Sequence, residues 1–207
     1  MKTLTLRPTA CAPGMTLMEV LVAAALMSVL TMLALLMTRS SAEFYSRASI
    51  NGATEIAIES TLNEISNELL ESRPSTITQP AGLLTPPSSS SSLTFRRVTR
   101  FNPATGTFEF GPLTRIAVEN GALYISTDVE SSSPRHRMVM EHVAALAKDE
   151  IANGLDDNGN GLVDEAGLAF VLETPFTVRI HLSLERRNAE GSMDVVSGST
   201  LVQLRNR

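Results

Sequence analysis

The sequence predicts an α+β chain in which one long N-terminal helix leads into a C-terminal antiparallel β-sheet domain. Three observations carry this. The 18 residues from Val20 to Met37 (VLVAAALMSVLTMLALLM) contain no charge. Apolar residues then recur at spacings of 3 and 4 toward Ser72, as on one face of a helix. Beyond residue 92 the pattern changes to strand-like alternation broken by turn signals. At 207 residues, 43% hydrophobic and 19% charged, the chain is long and apolar enough for one medium domain plus an extra element, which excludes disordered and fibrous classes. A net charge of −5 supplies no basic field to attract phosphate backbones, so no nucleic-acid partner is expected.

Residues 1–14 form a short leader with Lys2 and Arg7 and no acid, the charge pattern of a segment held on the cytoplasmic side. The apolar run that follows covers about 27 Å as a helix, close to the thickness of a bilayer core, and places a membrane span at residues 15–38. An ordinary secretory signal has a shorter apolar stretch ending in a small-residue cleavage site, which LLMTRSS does not supply. Cys11 is the only cysteine, so no internal disulfide forms, and no apolar run precedes it as a lipoprotein signal requires. Glu19 stands out, because a carboxylate at the start of a spanning helix needs either headgroup water or a partner.

Residues 39–73 read as the amphipathic half of the same helix. Phe44, Ala48, Ile58, Leu62, Ile65 and Leu69 fall on one stripe, while Glu55, Glu59, Glu64, Glu68 and Glu71 mostly fall elsewhere. Pro74 ends the element. One helix from Met15 to about Ser72 would be roughly 87 Å long, with Gly52 softening it midway.

The stretch Gly14-Met15-Thr16-Leu17-Met18-Glu19-Val20, set between a basic leader and an apolar run, resembles the processing site of type IV prepilins and type II secretion pseudopilins. The resemblance implies that prepilin peptidase cuts between Gly14 and Met15 and methylates the new amino terminus on Met15. It also implies that Glu19, fifth in the mature chain, serves assembly. Met15 stands where phenylalanine is commonest in the family. Leu36 stands where many major pilins carry a helix-breaking proline, which favours a minor subunit. A residue without a side chain at 14 lets extended backbone approach the peptidase closely. The ammonium created on Met15 gives the Glu19 carboxylate of the same or a neighbouring subunit a charge to neutralise in low dielectric. Loss of Lys2 and Arg7 makes the mature side-chain balance two units more negative, and loss of Cys11 leaves no cysteine.

Residues 74–92 (PSTITQPAGLLTPPSSSSS) read as a Pro/Ser linker, extended and mobile. The β-rich domain then covers residues 93–207. Its expected strands are Leu93 to Val98, Thr107 to Phe110, Leu113 to Glu119 and Ala122 to Thr127, the last two joined by the Asn120-Gly121 hairpin signal. Phe176 to Glu185 alternates cleanly and is expected to pair with Val195 to Leu204 across RRNAEGSMD. Met138 to Lys148 suits a short helix locally, whereas the resemblance implies a loop and strand. The ending LVQLRN is similar to the final strand of minor pilins and J-type minor pseudopilins.

Within the acidic segment 153–165, Asp156, Asn158, Asn160, Gly161 and Asp164 match positions 1, 3, 5, 6 and 9 of an EF-hand calcium loop. Position 12 is Gly167 rather than a bidentate glutamate, so Asp164, Glu165, Asn153 or water would complete the shell. Two readings stand: a calcium loop with Asp156, Asn158, Asn160, Asp164 and Glu165 as ligands, or a solvated acidic Asn-Gly turn. His136, His142 and His181 share no metal-ligand spacing, and no phosphate-binding loop, nucleophile elbow or HExxH occurs.

The resemblance therefore implies a pilin-like fold and a structural, non-enzymatic role. The expected protein is a minor pseudopilin or minor pilin in the tip or initiation complex of a type II secretion pseudopilus or type IV pilus. Its expected place is the inner membrane, single-pass, with the C-terminal domain in the periplasm. The partners implied are the prepilin peptidase, other minor and major pilins or pseudopilins, the inner-membrane assembly platform and the lipid bilayer. A membrane-anchored periplasmic binding, adhesion or DNA-uptake subunit using the same processing route is the alternative. A periplasmic hydrolase on an uncleaved anchor is a third class.

Overall fold

The computed structural model describes residues 16–78, 85–188 and 191–204, and within these not the side chains of 46, 47, 50 and 51. It has an α+β layout, with helix α1 (Leu17–Leu70) ahead of seven antiparallel strands among the described residues. The chain divides into two units, Met1–Ser46 and Arg47–Arg207.

In the first unit, Leu17–Tyr45 is apolar and long enough to cross a membrane, with a mean hydropathy of 2.6 over its best window and none of that window buried. Its large side chains are exposed, among them Leu17 at 82% and Met37 at 74%. Ser28, Thr31 and Thr38 return their hydroxyls to the carbonyls of Ala25, Met27 and Ala34, so these polar groups are satisfied within the helix.

In the second unit, Ile58, Leu62, Ile65 and Leu69 are buried, as their spacing predicts. Phe44 and Ala48, expected on the same stripe, are exposed. Helical spacing identifies a face, but only the presence of a covering element buries it. The helix gives way to a short 3-10 turn at Pro74–Thr76, where proline supplies a compatible φ without needing an amide partner.

Two sheets follow. Strands β1 (Ser92–Asn102), β2 (Thr107–Glu119), β3 (Ala122–Thr127) and β4 (Arg135–Met140) form one in that order. Strands β5 (Leu168–Thr174), β6 (Thr177–Arg187) and β7 (Met193–Gln203) form the other. The Asn120-Gly121 turn has φ of 53° and 75°, the pair of positive values that a two-residue hairpin requires. The strands expected at 107–110 and 113–119 are one continuous β2, because irregular pairing with β1 between Arg96 and Arg100 accommodates Gly111-Pro112 without ending the strand. Met138 to Lys148 contains no helix; it ends β4 and continues as a loop. Strands β6 and β7 pair from Thr177↔Gln203 to Arg187↔Met193, as the alternation predicts.

The segment read as a mobile linker is partly tied down. Thr78 bridges Thr94, and Ser90 exchanges backbone hydrogen bonds of 3.1 and 2.8 Å with Phe170. Pro87 accepts from the amide of Val163 at 3.1 Å. Residues 79–84 lie outside the described residues.

One apolar core joins Ile58, Leu62, Ile65 and Leu69 of α1 to Leu93, Phe95, Ile116, Leu123 and Ile125 of the first sheet and to Phe170, Val178, Ile180, Leu182 and Val202 of the second. Helix and last strand approach closely at Gly198, where a Cβ would lie 2.6 Å from Ile58 Cγ2 and 3.5 Å from Leu62 Cδ1. Ion pairs edge the helix: Glu68 meets Arg97 at 3.2 Å and Arg137 at 3.7 Å, and Glu64 also pairs with Arg137.

Candidate functional site

Two places in the chain combine charge with specific geometry. The first is the start of α1. Glu19 Oε2 accepts from the Thr16 amide at 2.9 Å and the Thr16 hydroxyl at 3.1 Å, while Thr16 Oγ1 accepts from the Glu19 amide at 3.3 Å. This reciprocal arrangement is a capping box: Thr16 precedes the first helical residue, and Glu19 closes the first turn. It satisfies two donors that the helix cannot pair internally and places a negative charge at the positive end of the helix. The T-x-x-E spacing that marks such a box is present in the sequence at Thr16 and Glu19. Gly14 and Met15 lie outside the described residues.

The second place is the loop between β4 and β5, running from Lys148 to Glu165. Leu162 is buried, whereas Ile151 and Leu155 are exposed, so the loop buries little apolar material and is held by its polar side chains. Asp156 Oδ1 accepts from the amides of Gly159 at 2.7 Å and Asn160 at 3.1 Å, and its Oδ2 accepts from Gly161 at 2.8 Å. Gly159 and Gly161, at φ of 73° and 86°, make the tight reversals that bring these amides to one carboxylate. Asn158 Oδ1 takes the Asn160 amide at 3.0 Å, and Asn160 Oδ1 takes the Leu162 amide at 2.8 Å. Asp164 accepts from Asn153 at 2.9 Å and from Gly154 at 2.8 Å. Asp156, Asn158, Asn160 and Asp164 thus build the loop by pairing with its backbone.

Glu165 differs from these. It is 1% exposed, its Oε1 accepts from the side-chain amides of Asn158, at 3.0 Å, and of Asn160, and its Oε2 has no hydrogen-bond partner. Glu150, outside the motif, is its counterpart. It is 8% exposed, its Oε1 accepts from the amides of Asp157 and Asn158 at 3.2 Å each, and its Oε2 is likewise unpartnered. No motif singles out Glu150, which lies six residues ahead of the alternating Asp/Asn pattern. Among the described residues, no three His, Cys, Asp or Glu side chains converge as a ready-made metal cage.

Beside this loop, on β6, burial and the positive charge of Arg179 hold His181 below its ordinary pKa, with Glu165 and Glu173 opposing them. His181 Nε2 has no partner, and neither does the hydroxyl of buried Ser183. His136 instead shares a 2.8 Å hydrogen bond with Ser126, and His142 is exposed, so the three histidines form no joint site.

No protein-family model matches the chain, and no curated protein matches it in sequence.

Proposed function

We propose that this chain is a minor pilin-like subunit, a minor pseudopilin of a type II secretion system or a minor type IV pilin. It is cut by prepilin peptidase between Gly14 and Met15, methylated on Met15, and assembled into the tip or initiation complex of its filament. In this reading it is the peptidase's substrate and a structural part rather than an enzyme. The observation that carries the proposal is the junction Gly14-Met15-Thr16-Leu17-Met18-Glu19-Val20, directly ahead of a charge-free run.

The capping box supports the reading chemically. After cleavage, the Met15 ammonium would be one residue ahead of Thr16, whose amide and hydroxyl already hold the Glu19 carboxylate at the helix start. That carboxylate can serve the helix dipole and the new terminus together, so burial of the start in lipid or among neighbouring helices leaves no charge uncompensated. The exposed side chains of Leu17–Tyr45 would first be covered by lipid and then by the helices of other pilins or pseudopilins. The second unit would stand in the periplasm, with the inner-membrane assembly platform as a further partner.

N-terminal mass spectrometry of membrane-extracted protein tests the proposal. A mature chain beginning at methylated Met15 is expected; one beginning at Met1, or after residue 38, would overturn it. Glu19→Ala should still be cut but should enter complexes with partner subunits less well. Normal co-assembly of that variant would reduce Glu19 to a helix cap.

A further inference from the structure

We propose that the loop between β4 and β5 binds a calcium ion through the buried carboxylates of Glu150 and Glu165, with Asp156 and Asp164 acting as builders of the loop. The inference is independent of the pilin reading.

Buried polar atoms in folded proteins nearly always have partners, because an unpaired one loses its hydration without return, and the loss is greater for a charge. Here two glutamates are at least nine-tenths buried, and each keeps one oxygen without a donor. Both converge on a single residue, since Glu150 Oε1 accepts from the backbone amide of Asn158 and Glu165 Oε1 from its side-chain amide. The same Asn158 side chain reaches the Lys148 carbonyl at 3.2 Å, so a main-chain oxygen belongs to the same neighbourhood. Asp149, Asp156, Asp157 and Asp164 add negative charge around the pair, and Lys148, the one basic residue of 148–165, is exposed.

The two aspartates that an EF-hand reading would choose are differently occupied. Both oxygens of Asp156 and both of Asp164 accept backbone N–H groups. Those bonds explain why the residues are acidic without invoking an ion; nothing comparable explains the free oxygens of Glu150 and Glu165.

The groups that these hydrogen bonds gather about Asn158 are two carboxylates and a main-chain carbonyl, all oxygen ligands. Calcium accepts six to eight such ligands with flexible geometry, magnesium requires a near-ideal octahedron, and zinc favours nitrogen and sulfur. A single divalent ion would supply positive charge to both orphan oxygens.

Equilibrium dialysis of the detergent-solubilised full chain against radioactive calcium chloride tests this. One ion per chain is expected, half-saturating at or below about 1 mM, the range of extracellular calcium modules. Glu150→Gln and Glu165→Gln keep side-chain shape and should each weaken binding at least about tenfold, with far-UV circular dichroism confirming the fold. Asp156→Asn should lower the melting temperature to the same extent in calcium and in EDTA. Absence of binding by the folded wild-type chain at about 5 mM calcium would overturn the proposal. So would binding that survives in the Glu150→Gln/Glu165→Gln double variant, or calcium stabilisation lost in Asp156→Asn but kept in Glu165→Gln.

Discussion

Substituting Gly198 by alanine tests how closely the helix sits on the last strand. The added Cβ would lie 2.6 Å from Ile58 Cγ2, about 1 Å inside the ordinary carbon–carbon contact distance of about 3.5–4.0 Å. Isoleucine is stiff at χ1, and its Cγ2 hangs directly from the branch point, so the methyl cannot swing aside without moving the rest of the side chain. Overpacking of this kind costs about 1–3 kcal/mol. Replacing glycine in a strand interior returns roughly 0.5–1 kcal/mol, leaving a net loss of about 1–2 kcal/mol. For a domain of this size each kcal/mol lowers the midpoint by about 2–4 °C. Calorimetric melting of the detergent-solubilised chain should therefore place Gly198→Ala some degrees below wild type. Ile58→Ala alone should cost about 2–5 kcal/mol through its cavity. In that background Gly198→Ala should become neutral or stabilising, a coupling of about 1 kcal/mol or more. A Gly198→Ala midpoint at or above wild type, or strict additivity in the cycle, would refute the reasoning.

Gly167→Ala should be harsher, about 3 kcal/mol or more, because its Cβ would fall 2.1 Å from the Ala144 carbonyl oxygen and backbone yields less readily than a side chain; near-wild-type denaturant unfolding would count against this. Since burial and Arg179 lower the pKa of His181, the unfolded chain binds the proton more readily than the folded one. The contribution of His181 to stability is thus fully present above its ordinary 6.5 and is lost as pH falls from there toward the folded value. Melting between pH 7.5 and 5.5 should show a decline that His181→Gln reduces, and an identical decline in that variant would exclude the assignment. Glu68→Ala, which removes the link to both Arg97 and Arg137, should cost about 1 kcal/mol at low salt and less at high salt, whereas a salt-independent loss would point to packing instead.

What could be read from the sequence follows from the range of the forces involved. The helical spacing of Ile58, Leu62, Ile65 and Leu69 and the alternation of β6 are local patterns, and both survive in the fold. The outward placement of Phe44 was not legible, because burial depends on what lies opposite and spacing does not state that. Strand β5 (LAFVLET) is not marked in the sequence, because its first four residues are all buried and it lacks the alternation of a half-exposed strand. Ser90 stands in a featureless serine run, yet its backbone pairs with Phe170, a contact that composition cannot reveal. In the acidic loop, the motif pointed to residues that shape the turn. Glu150, remote from the motif by six positions, is recognisable only once folding has buried it beside Asn158.

The close approach of Gly198 to Ile58 also sets the order in which the molecule can be completed. Ile58 belongs to α1 and Gly198 to β7, the first and last elements among the described residues, so the helix stripe lacks part of its cover until β7 is available. Long-range closures of this kind are slow compared with local helix and hairpin formation. In the interval, Ile58 and Leu62 form a sticky surface on a nascent chain, and a ribosome stalled before β7 would leave a product whose helix and hairpins are formed but prone to associate with others. Truncation that removes β7 should accordingly be far more damaging than its distance from the helix in sequence suggests.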